Sequence, residues 1–271
     1  MNPVEEFNRE KAERISGYGS DETFRKASLD WLEMSMAKKY VYNFAWMDRP
    51  IIQYPQDMVA IQELIWQVRP DVIVETGIAH GGSLILSASI LALLDYSDAA
   101  ERGEVVDPRK RRRRVIGVDI DIREHNRAAI EAHPMAYGIS MVQGSSIDPA
   151  TVRQVYDQIT EGERVLVCLD SNHTHEHVLR ELEAYAPLTS VGSYCIVFDT
   201  FVEDTQGDLF PDRPWGKGNN PKTSVREYLS NVGKEGRLAR DGSRMNFEVD
   251  REIEKKLMVT VAPEGFLRRV S

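Results

Sequence analysis

From residue 71 onward the chain repeats one pattern, a short and nearly continuous apolar run followed by a stretch of helix-like periodicity. The runs are DVIVE (71–75), RVIGVD (114–119), ISMVQ (139–143), VLVCLD (165–170) and SYCIVFD (193–199). Runs with so little polar alternation are strands buried on both faces, and helices between them make the strands parallel. The intervening helices are expected over 83–94, 123–132, 149–159 and 174–186. Sheets of this kind bind ligands outside the carboxyl ends of their strands, where strand order reverses. Four of the five runs close on an acid: Glu75, Asp119, Asp170 and Asp199. One such acid is an ordinary helix cap. Four at one sheet edge point to a ligand.

The flanks read differently. Residues 3–47 look helical, with Phe24, Leu29, Leu32 and Met36 at helical spacing, followed by a proline-marked break at 49–55 and a helix over 58–68. Residues 205–220 are rich in Gly, Pro and Asp and read as a long loop, the usual form of a lid or binding loop. A short helix is expected at 223–230, then two last strands at 247–249 and 257–261. With 271 residues and 42% hydrophobic composition, the chain has enough for one sizeable domain (49–271) and a helical extension (1–48). The extension carries Trp31, Tyr40, Tyr42, Phe44 and Trp46, so it is expected to pack on the domain and against another copy, giving a homo-oligomer.

Charge and composition narrow the partners. A net charge of −9 argues against nucleic acid. The basic run 109–114 reads as a solvated loop face, with an anion clamp as the lesser alternative. No run of 18 apolar residues occurs and residues 1–14 lack an apolar signal core, so a cytoplasmic protein without a membrane span is expected. Cys168 and Cys195 sit inside apolar runs and read as core thiols.

The first chemical motif is the turn Glu75-Thr76-Gly77-Ile78-Ala79-His80-Gly81-Gly82-Ser83. Its glycines permit positive φ and close approach of a ligand, and the helix after it offers free N–H groups to an anion. No Gly-Lys-Ser/Thr follows, and Ala79 replaces the second glycine of the dinucleotide fingerprint. Asp119 suits a ribose diol, with Asp121 as its competitor. Gly144-Ser145-Ser146 follows the third strand, where an adenine edge would lie. Asp170-Ser171-Asn172-His173 follows the fourth, with His175 and His177 expected to serve surface or capping roles. Asp170 and Asp199 can meet at the sheet edge and hold a hard cation such as Mg²⁺, with His173 within reach.

Taken together, these residues resemble the cephalosporin hydroxylase (CmcI-like) family of class I methyltransferases, which includes rhamnosyl and antibiotic-sugar O-methyltransferases. The likeness runs from about Arg49 to the C-terminus through RPIIQYPQDM, VIVETGIAHGGS, VIGVDID, GSSID, LDSNHTHEHVLRELEAYAPL, GSYCIVFDT and EKKLMVTVAPEGFLRRV. It implies a Rossmann-like sheet, mostly parallel with a C-terminal antiparallel strand, and helices on both faces. It implies S-adenosylmethionine at Glu75, Gly77, Ser83, Asp119 and Ser146, with Thr76, Gly81, Ser145 and Asp170 in the same binding edge. It also implies a metal on Asp170 and Asp199 and a histidine base at His173. Phe198 departs from the pattern, standing where many relatives carry Glu, and leaves that ligand position to Thr200 or water. The expected activity is methyl transfer to a sugar or natural-product hydroxyl. A cofactor-binding partner of a hydroxylase without turnover, and an N-methyltransferase, are the rival expectations.

Overall fold

The computed structural model describes residues 2–107, 109, 112–207 and 209–271. Two helices open the chain, α1 (Pro3–Ser20) and α2 (Glu22–Ala37), each started by an acidic or amide cap, Asn2 or Asp21. The helical pattern stops there. Strands β1 (Phe44–Trp46) and β2 (Arg49–Ile51) form a hairpin whose two loop residues, Met47 and Asp48, both have positive φ. That is the backbone a two-residue hairpin turn requires. Residues 44–51 are therefore sheet, where helix and irregular chain were expected. The pairing of Phe44 with Ile51 and the bond from the Trp46 indole to Ser89 (3.0 Å) hold the hairpin on the domain.

Next come α3 (Pro55–Val68), β3 (Val72–Thr76), α4 (Gly82–Arg102), β4 (Arg114–Asp119), α5 (Glu124–Glu131), β5 (Ile139–Gln143), α6 (Pro149–Tyr156), β6 (Val165–Leu169), α7 (His175–Tyr185), β7 (Tyr194–Val197), α8 (Pro221–Glu235), β8 (Phe247–Val249), α9 (Arg251–Leu257) and β9 (Phe266–Arg269). The main sheet has the order β5-β4-β3-β6-β7-β9-β8, parallel as far as β7, with β9 antiparallel to both β7 and β8. Side chains alternate between two apolar layers. Ile73, Val115, Leu166 and Ile196 face α2, α3 and α4, whereas Val74, Val118, Val167 and Val197 face α6, α7 and α8. Cys168 and Cys195 are free, buried and on opposite faces.

Several elements differ from the sequence reading. Helix α4 runs on through the charged residues to Arg102, because Asp95 and Asp98 bond the Arg113 guanidinium (2.5 and 2.8 Å) and Gly103 closes the helix in the left-handed region. Arg113 is thus a buried ion-pair partner rather than a solvated loop residue, and Arg114 pairs with Glu163. Lys110 and Arg111 of the same basic run lie outside the described residues. Helix α8 spans 15 residues instead of one short turn set. The run 257–261 is not a strand, since the Val261 N–H is taken by Asp57 (3.0 Å) and its carbonyl by Phe201. The final strand is β9. Helix α4 is long and apolar enough to cross a membrane, but half of it is buried inside the domain, as a core helix is.

Candidate active site

Strand order reverses between β3 and β6, because β4 and β5 extend the sheet to one side of β3 and β6 and β7 to the other. The crevice beyond those two strand ends is where such sheets bind ligands. A cleft of about 900 Å³ opens there. Three layers of the chain line it: the turn after β3, the segments after β6 and β7, and residues from 36–53 and 209–215.

The turn is built for close approach. Gly77 has φ +91°, and a Cβ there would stand 2.0 Å from the Asp170 carbonyl oxygen. Only glycine lets β3 and β6 deliver their loops side by side. Ala79 also adopts positive φ (46°), which costs a non-glycine residue strain. Asp119 props that conformation by accepting the Ile78 and Ala79 N–H groups (2.8 and 3.2 Å). The missing second glycine is therefore replaced by a carboxylate from the next strand. Asp121 is exposed and does not share this role.

Glu75 lies buried beneath the turn and accepts the Ser83 hydroxyl, and burial pushes its carboxyl up to about 7. Thr76 is fully buried, its carbonyl receiving the Asp170 N–H (3.0 Å). Gly81, at φ +84°, starts α4 against Ile130. Of the residues singled out from the sequence, Gly77, Ser83, Asp170, His173 and Asp199 line the cleft. Asp119, Ser145 and Ser146 stand off it at the ends of β4 and β5. The Ser145 carbonyl accepts the Asp148 N–H (3.0 Å), and the Ser146 hydroxyl meets His177 Nε2 (3.0 Å).

After β6 and β7 the chain gathers Asp170, His173 and Asp199, with one donor atom from each inside a 4.8 Å group. His173 Nδ1 lies 3.1 Å from Asp199 Oδ2. Asp199 has positive φ (56°), an uncommon backbone for a non-glycine residue and a frequent mark of functional sites. Burial, then Asp199 and Glu75, raise the Asp170 carboxyl well above its ordinary range. Burial raises Asp199, and His173 opposes that shift. Two desolvated acids this close favour a bound cation. An oxygen, oxygen and nitrogen donor set fits a divalent ion.

Phe198 is buried in the apolar layer at the edge of the cleft. Thr200 supplies no substitute ligand, because it is fully buried and donates to the Pro263 carbonyl (2.6 Å). His175 braces α8 through Thr223 (2.7 Å) and Glu227 (3.1 Å), while Asn220 caps that helix, so the contact joins two helices rather than capping one. His177 joins the loops after β5 and β6 through Ser146, Ser171 (3.3 Å) and buried Glu181.

The loop before α8 forms the remaining wall. Trp215 packs on His173 (ring centroids 5.1 Å) and on Phe210 (4.6 Å). Its anchors are Gly218 on Glu203, Asn219 on the His175 N–H and Lys222 on Asp204. The sequence reading located the loop but not Phe210, Arg213 and Trp215 within it, nor Lys39, Tyr42 and Gln53 from the segment before α3. Aromatics inside a Gly/Pro-rich stretch were the available signal for the first group.

Sheet order, turn and strand-end acids together define the class I S-adenosylmethionine-dependent methyltransferases. Two structures of CmcI share the fold. An apo structure superposes with TM-score 0.54 and 19% identity over 85% of this chain and 77% of that one, and a form with Mg and SAM with TM-score 0.52 and 18% identity over 85% and 78%. The rhamnosyl O-methyltransferase of Mycobacterium bovis (strain BCG / Pasteur 1173P2) is 28% identical over 218 residues, covering 79% of this chain and 73% of that one. A family model described as "Rhamnosyl O-methyltransferase/CmcI" matches residues 38–270, and the chain belongs to that family. It is an S-adenosylmethionine-dependent O-methyltransferase.

Proposed function

We propose that the chain methylates a hydroxyl of a sugar or natural-product acceptor in the cytoplasm, with a divalent cation on Asp170 and Asp199 and with His173 as general base. The carrying observation is the Asp170–His173–Asp199 group in the cleft, in backbone contact with the Gly77 turn. Names of relatives support the acceptor class, since the M. bovis protein is a rhamnosyl O-methyltransferase.

S-adenosylmethionine supplies the methyl group by in-line displacement, and a divalent cation supplies Lewis acidity toward the acceptor hydroxyl. Everything else falls to the chain. Asp199 Oδ2 lies 3.1 Å from His173 Nδ1 and its charge favours a proton on that nitrogen, which leaves Nε2 to take the hydroxyl proton. Nε2 has no other partner among the described residues. Buried acids around the cleft favour the positive sulfonium, and Trp215 and Phe210 keep water off the reacting atoms.

The test is release of S-adenosylhomocysteine with hydroxyl acceptors. Turnover should vanish in chelator and return with Mg²⁺ or Mn²⁺. Asp170→Asn and Asp199→Asn should each cost at least roughly 10²-fold, and His173→Ala roughly 10²–10⁴-fold, with cofactor affinity nearly kept. Full turnover in excess chelator would remove the cation from the mechanism.

A second reading rests on the same 4.8 Å group: His173 is a cation ligand in place of the acid that Phe198 replaces. Titration of Mn²⁺ separates the two. Under the base reading His173→Ala keeps Mn²⁺ affinity, and under the ligand reading it loses it.

A further inference from the structure

We propose that Gln53 binds the amino-acid end of S-adenosylmethionine, its side-chain carbonyl accepting a hydrogen bond from the cofactor's α-ammonium group. Gln53 is 5% exposed and lines the cleft, yet its Oε1 is buried and has no hydrogen-bond partner among the described residues. A buried amide oxygen is rarely left unpaired. The segment that carries Gln53 is held from both sides. On one side β2 is clamped on the start of α4, where a Cβ at Gly82 would stand 2.3 Å from the Pro50 carbonyl oxygen and 2.7 Å from Ile51 Cα. On the other side Tyr54 is fully buried, its hydroxyl 2.5 Å from that of Ser35, and Asp57 is tied to Thr260 and Val261. The backbone around Gln53 is therefore held at the wall, and rotation about χ3 alone turns the amide oxygen toward the cleft.

Its position selects the ligand group. The residues suited to ribose and adenine, Asp119 and Ser146, follow β4 and β5 and do not line the cleft. Gln53 lies on the segment packed against the first residues of α4, whose free N–H groups suit the cofactor's carboxylate. An ammonium group beside that carboxylate carries only donors and needs an acceptor. Gln53 Oε1 supplies one.

This rests on S-adenosylmethionine being the ligand of the cleft, so the experiment compares two adenosyl ligands. Calorimetry on the full chain measures S-adenosylhomocysteine, which has the ammonium group, and methylthioadenosine, which lacks the amino-acid tail. Gln53→Met, close in size, should weaken S-adenosylhomocysteine by roughly tenfold or more and leave methylthioadenosine within about twofold. Gln53→Glu keeps an acceptor oxygen and should bind S-adenosylhomocysteine within a few-fold of the parent. The ligand-free melting temperature of Gln53→Met should not fall, because the variant removes an unpaired polar group. Equal weakening of both ligands, or a fall in melting temperature with it, would make Gln53 structural and overturn the proposal. Unchanged S-adenosylhomocysteine affinity with a raised acceptor KM would assign the oxygen to the acceptor and overturn it equally. A parent chain that binds neither ligand would sink the cofactor reading itself.

Discussion

Burial raises four carboxyls that act on one another around the cleft: Asp57, Glu75, Asp170 and Asp199. Asp57 is the one best suited to a stability measurement, since it lies in the first turn of α3, fully buried, with its carboxyl up to about 7. A raised folded value means the native state keeps a proton that the unfolded chain releases. Its stabilising contribution is present at low pH and fades as pH climbs from the ordinary carboxyl range through about 7. The whole effect is at most about 4 kcal/mol. Asp57→Asn keeps the shape and removes the titration. Its melting temperature minus that of the parent should be several degrees more favourable at about pH 8 than at about pH 5. A difference independent of pH would show that Asp57 is held in its ordinary range. At this scale the strand-end acids were legible, because an apolar run closing on an acid marks both a strand end and a polar edge. Gln53 was not legible. Its burial comes from β2 packing on α4, a long-range contact with no local signature.

Among the elements, the parallel strands were readable because double burial removes polar alternation from their sequences. The run LMVTV at 257–261 looked like one more. Its polar backbone is satisfied by the Asp57 side chain and by Phe201, so apolar character alone misled there. The hairpin β1–β2 was hidden by aromatic residues that fit a helix face equally well, and by a Met-Asp turn without glycine. Among its described residues the loop at 205–220 carries no helix or strand, as expected, and its aromatics were the one sign in the sequence of which side chains turn inward. Trp215 is the one that covers His173. Trp215→Ala should raise acceptor KM and lower turnover by roughly tenfold or more, while cofactor affinity shifts by less than about threefold. Unchanged acceptor kinetics would show that the loop lies outside the reacting complex.

For the molecule as a whole, the extension at 1–48 is proposed as an appendage to the catalytic domain and as the contact between copies. Its aromatics do pack on the domain, through Trp31 and Tyr40 against Tyr54 and through the Trp46 indole on Ser89. Helix α1 buries no residue and leaves Val4 and Phe7 in solvent, and Met34 and Tyr42 are exposed further along. Light scattering should therefore give a dimer or larger, and a monomer at working concentration would refute the contact between copies. One calorimetric comparison tests the ligand of the cleft without knowledge of the acceptor. S-adenosylmethionine should bind in the micromolar range, about −8 kcal/mol, and NAD should give no heat. Asp119→Ala, which frees the turn it props, should weaken that binding by roughly 1.5–3 kcal/mol. Binding of NAD with no response to S-adenosylmethionine would contradict the account.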